Sequence, residues 1–175
     1  MKVTDVSAVE AALFYQNYIS LVNPKLTLLE ALTNGWDEMT NLCQKISEQQ
    51  KENYKYQPEK WSVQDVLLHL IDAERIFCYR ALCISRSDKT NFPGFEENDY
   101  VTNAGANDRS LKSILDEFYS ARSATISLFK NFNSQQLCVI GTASNNPISV
   151  RALGFIIVGH FNHHLQIITN RYLQP

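Results

Sequence analysis

Four internal prolines, Pro24, Pro58, Pro93 and Pro147, limit where a long helix can run in this chain, because a proline inside a helix removes a hydrogen bond and collides with the preceding turn. Between them lie long stretches whose apolar residues recur three or four apart, the spacing of a helix with one buried face. After Pro24, where a helix can begin, come Leu28, Leu29, Leu32, Trp36, Met39, Cys43 and Ile46. Ser62 is a good N-cap for a second helix to about Ser85, carrying Val63, Val66, Leu67, Leu70, Ala73, Phe77, Ala81 and Ile84. Ser110 caps a third with Leu111, Ile114, Leu115, Phe118, Thr125, Ile126 and Phe129. Ser149 caps a last one to about Tyr172, with Leu153, Ile156, Ile157, Phe161, Leu165 and Ile168 inward. A short helix over about Val6–Ile19 precedes them, residues 47–60 and 131–147 read as polar connections, and residues 86–109 as a long loop of the kind that often carries function. The pattern predicts an all-α fold, a four-helix bundle with a short extra N-terminal helix, forming a single domain over 1–175.

At 175 residues, 45% hydrophobic and 19% charged, the chain can bury a sizeable core. Sixteen basic against 18 acidic residues leave no cationic surface for a polyanion, so nucleic acid is not an expected partner. The longest apolar run, Leu153 to Gly159, is far short of the roughly 20 residues that span a bilayer, and a membrane is not expected either. The first 20 residues carry Asp5 and Glu10 and lack an apolar h-region, so a soluble, cytoplasmic protein is expected. Cys43, Cys78, Cys83 and Cys138 form no Cys-x-x-Cys pair and read as reduced thiols.

All four histidines fall in two short segments, one at His69 and three at His160, His163 and His164. A helix turns about 100° per residue, which places His164 about 40° from His160, with both inside the stripe of Leu153 and Ile157. His163 falls about 60° to the other side, on the flank, where a rim position or a hydrogen bond behind a ligand fits best. By the same arithmetic His69 shares the inward arc of Val66, Ala73 and Phe77. Imidazoles at i and i+4, joined by a third from a facing helix, suit a divalent ion such as Zn, Ni or Fe with open positions for water or substrate. Core histidines hydrogen-bonded to their neighbours are the alternative. Arg122 sits mid-stripe on the third helix and needs a partner there. Arg122 and Arg80 either pair with Asp72, one turn from His69, or hold an anionic substrate.

With these residues placed, the chain resembles the DinB-like superfamily, in particular its small bacterial single-domain branch. The resemblance rests on Lys60-Trp61-Ser62, Leu68-His69-Leu70-Ile71-Asp72-Ala73-Glu74-Arg75, Tyr79-Arg80-Ala81-Leu82, Pro93-Gly94-Phe95 and Gly159-His160-Phe161-Asn162-His163-His164. It extends from about Tyr15 to Leu173, and departs at Glu59, where relatives often have Gly. It implies an up-down-down-up bundle, often a homodimer, and a divalent metal held by His69, His160 and His164. It also implies either a metal-dependent hydrolase or an S-transferase or isomerase using a low-molecular-weight thiol such as bacillithiol or mycothiol.

The resulting expectation is a metal-dependent enzyme acting on a small molecule, in which the ion lowers the pKa of water or of a thiol cosubstrate. Asp72 is the expected general base or the carboxylate behind a ligand, and Arg122 the expected anion-binding cation. A non-catalytic metal- or ligand-binding module serving dimerisation or sensing is the alternative.

Overall fold

A computed structural model describes residues 1–174. Its frame is four long helices, α2 (Leu28–Glu48), α3 (Val63–Ser85), α5 (Leu111–Lys130) and α7 (Val150–Ile167). Ser62, Ser110 and Ser149 each cap the helix they precede, their hydroxyls accepting from the backbone N–H of Asp65, Ser113 and Ala152 at 3.1, 3.2 and 3.0 Å. Helix α2 starts later than Pro24 suggests. Thr27 caps it, in a reciprocal arrangement with Glu30 that also satisfies the Thr27 N–H.

Helix α3 packs against α5 and α7, and α2 packs against the same two. Helices α2 and α3, consecutive in sequence, therefore lie on a diagonal, and the 49–62 segment crosses one end of the bundle. This arrangement makes α3 and α7 neighbours, so the two histidine segments meet.

The connections hold more structure than their polarity suggests. The stretch 86–109 contains strand β1 (Asn91–Phe92), helix α4 (Glu97–Ala104) and a 3-10 turn at Ala106–Asp108. The stretch 131–147 contains helix α6 (Ser134–Cys138), strand β2 (Ile140–Ala143) and the start of β3 (Asn146–Ser149). Strand β1 pairs parallel with β2 (Asn91 with Thr142), and β2 antiparallel with β3 (Ile140 with Ser149). The hairpin turns through Ser144 and Asn145, with φ of 51° and 61°, as a two-residue turn of right-handed twist requires. The N-terminal helix is shorter than expected: 3-10 turns at Val3–Asp5 and Ala8–Glu10 precede α1 (Leu13–Ile19). At the other end α7 gives way to a π-turn, Ile168–Tyr172.

Two features tie this frame together beside the site. Helix α1 crosses α7 at Gly159, where a Cβ would overlap the Tyr18 carbonyl, so only glycine lets α1 lie this close. At the bundle centre Arg122, 1% exposed, donates from Nε and Nη2 to Glu74 at 2.8 to 3.1 Å and from Nη1 to the Leu32 carbonyl at 3.0 Å. Its guanidinium lies 4.8 and 5.0 Å from the ring centres of Phe118 and Phe161.

Candidate metal centre

His69 comes from the first half of α3, and His160 and His164 from the second half of α7, one turn apart. Their ligand-capable atoms all lie within 4.8 Å of one another. Nε2 of His69 and Nε2 of His160 are 3.1 Å apart, and the ring centres are 4.6 to 5.0 Å apart. Two nitrogens bound at 2.0–2.2 Å to one ion, at angles between octahedral and tetrahedral, stand about 3 to 3.5 Å apart. The His69–His160 separation falls in that range.

The surroundings favour neutral imidazoles, the form that binds metal. His69 and His160 are buried, and His164 is partly buried. Burial pulls the His69 pKa down to about 4, and burial with the nearby His69 and His163 pulls His164 down to about 3. His160 is held well below its ordinary value by burial, then by the other three histidines. Nδ1 of His164 is buried without a hydrogen-bond partner, which costs about 1–3 kcal/mol for a neutral polar group unless something else meets it. Converging, neutral, partly unpartnered nitrogens are a donor set that a divalent ion fits.

A pH dependence of stability follows for the metal-free chain. The folded His69 pKa is depressed from 6.5 to about 4, so below pH 6.5 the unfolded chain takes up a proton that the folded chain refuses. Its contribution is complete above pH 6.5 and is lost as pH falls toward 4, at about 1.4 kcal/mol per pH unit. Urea unfolding between pH 7 and 4.5 should show at least this slope, because buried His160 and His164 add to it, and His69→Gln should lower the slope by about one histidine's share. An unchanged slope in that variant would contradict the burial of a neutral His69.

Aromatic rings close round the cluster. Tyr18 of α1 meets His160 and His163 edge-on at 5.3 and 5.4 Å, and Trp61 lies 4.9 Å from His69. A cavity of about 170 Å³ opens onto His69 and His160, walled by Tyr15, Tyr18, Phe77 and Arg80 and by Gly94, Phe95 and Glu97 of the 86–109 stretch. Sequence reasoning identified that stretch as a functional candidate, and it does reach the site.

The two other candidate residues, Asp72 and Arg122, do not line the cavity on His69 and His160. Asp72 is 3.8 Å from Arg75 and borders a separate surface cavity with Asp99, Tyr100 and Asn103. No carboxylate joins the three imidazoles among the described residues. The partner of Arg122 is Glu74, not Asp72, and this buried pair occupies the guanidinium that a substrate anion would need. His163, on the flank of α7, is less buried than His160 and is not part of the converging group.

A family model of the DinB superfamily matches residues 31–168. No curated protein matches the chain. Among solved structures the chain is similar to YfiT from Bacillus subtilis, described as a probable metal-dependent hydrolase with an unusual four-helix bundle topology. The two share 15% identity over 82% of each chain, with a TM-score of 0.71, which shows a common fold. With the diagonal helix order and the match covering most of its length, the chain belongs to the DinB superfamily.

Proposed function

We propose that this protein is a metal-dependent enzyme that acts on a small molecule held beside His69, His160 and His164. The observation that carries this reading is the convergence of three neutral imidazoles, two of which, His69 and His160, line a cavity. A bound Zn, Ni or Fe ion would supply Lewis acidity and bring the pKa of water or a thiol toward neutrality. The chain's own contribution is to hold three nitrogens in place, to keep them unprotonated by burial, and to surround the reacting atoms with Tyr15, Tyr18 and Phe77 so that bulk water is displaced.

Hydrolysis is the first reading of the reaction, and transfer to a low-molecular-weight thiol the second. The second is supported by another cavity, about 220 Å³, that reaches His164 past Trp61, Lys60 and Arg171. A site approached from two sides has room for a cosubstrate as well as a substrate. Activated esters and amides, and electrophiles paired with a small thiol, should be turned over by the full chain after loading with Zn, Ni or Fe. Chelation and His69→Ala should each reduce the rate at least about 100-fold. Metal-loaded protein with no turnover on either panel would favour the non-catalytic module.

A further inference from the structure

Arg80 is the one buried charged residue of the cavity wall that no ion pair answers among the described residues. It is 3% exposed, yet no carboxylate lies within 4.0 Å of it among the described residues. Its Nη2 donates to the Pro93 carbonyl at 2.6 Å, and Phe77 lies 5.8 Å from the guanidinium carbon. A guanidinium offers five N–H donors in a planar fork, and the Pro93 carbonyl with the neighbouring Tyr15 hydroxyl leaves most of them free. Buried cations in proteins are normally paired, as Arg122 is with Glu74. Arg80 instead borders the same cavity as His69 and His160.

We propose that Arg80 is the substrate-anchoring residue of this site, and that the substrate is a small monoanion carrying a carboxylate on an apolar body. This rests on reading the cavity as the substrate site. The planar fork matches a carboxylate, which can accept two N–H bonds in parallel. The apolar body is set by Tyr15, Tyr18 and Phe77 on the walls, and its size by a cavity of about 170 Å³, room for little more than one ring or a short acyl chain. Glu97 stands at the same cavity on an exposed position, and its charge opposes a second negative charge on the ligand. A monoanion therefore fits better than a phosphate monoester.

Phenylacetate and its neutral counterpart phenylacetamide serve as probes, measured by calorimetry at pH 7.5 on the full chain with and without zinc. The metal-free arm isolates Arg80, because a bound ion could itself attract a carboxylate. Phenylacetate should bind metal-free protein at least about tenfold more tightly than phenylacetamide, and Arg80→Gln should remove that preference while leaving zinc content unchanged. Arg80→Gln could unfold the wall at Pro93, so Glu97→Gln, an exposed change, provides an independent reading. It should tighten phenylacetate about two- to fivefold and leave phenylacetamide alone. Equal binding of acid and amide, or phenyl phosphate binding more tightly than phenylacetate, would overturn the proposal. Arg80-dependent binding of the acid by a chain that takes up no zinc would uphold it and overturn the metal reading. Zinc uptake without any acid preference would do the reverse.

Discussion

Replacing Glu74 with alanine is expected to cost about 3–5 kcal/mol of stability, the loss seen when one member of a buried ion pair is removed. Glu74 is 4% exposed and accepts from Nε and Nη2 of Arg122 and from the Thr125 hydroxyl, the last at 2.6 Å. Without it the guanidinium keeps only the Leu32 carbonyl and the faces of Phe118 and Phe161. Neither replaces a carboxylate for a charged group that is 1% exposed. Because a domain of this size is stable by only about 5–15 kcal/mol, the loss is about a fifth or more of the total. Arg122→Met should be milder than Glu74→Ala, since Thr125 still serves the carboxyl, which can also be protonated. The pair Glu74→Leu with Arg122→Met should recover much of the loss, as apolar replacement of a buried pair often does. Urea unfolding measures all three, and a drop below about 1 kcal/mol for Glu74→Ala would mean the pair is hydrated.

The same pair marks how far the sequence could be read. Periodicity located α2, serine caps with periodicity located α3, α5 and α7, and helical angles turned His69, His160 and His164 inward, because each of these depends on near neighbours in the chain. The partner of Arg122 lies 48 residues away on α3, and nothing local distinguishes Glu74 from Asp72. Helix α4 buries none of its residues, so it has no apolar period to detect. The hairpin between β2 and β3 turns on Ser144 and Asn145 at positive φ without a glycine, which removes the usual signal. In sequence Arg80 has two readings, a partner for Asp72 or a holder of an anionic substrate, and nothing local decides between them. Its isolation at the cavity becomes visible only when β1 brings the Pro93 carbonyl against it.

The second large effect belongs to His160, a buried imidazole whose ring centre lies 5.0 Å from that of His69 and 4.6 Å from that of His164. Changing it to alanine removes a nitrogen 3.1 Å from that of His69 and leaves two donors of a set of three. Loss of a group that merely orients a ligand typically weakens metal binding 10- to 100-fold, so loss of the ligand itself should exceed about 100-fold. The helical frame should survive, because the α3–α7 contact also rests on Val66, Leu70, Ala73, Ile157 and Phe161. Circular dichroism of the variant checks that point before any metal is added. The decisive measurement is a calorimetric titration of tag-free, metal-free protein with zinc at neutral pH, wild type beside His160→Ala. One ion per chain in the wild type, with at least about 100-fold weaker binding in a variant of unchanged helix content, is the predicted result. A wild type that takes up no ion, or a variant that binds it equally well, would contradict a metal centre at His69, His160 and His164.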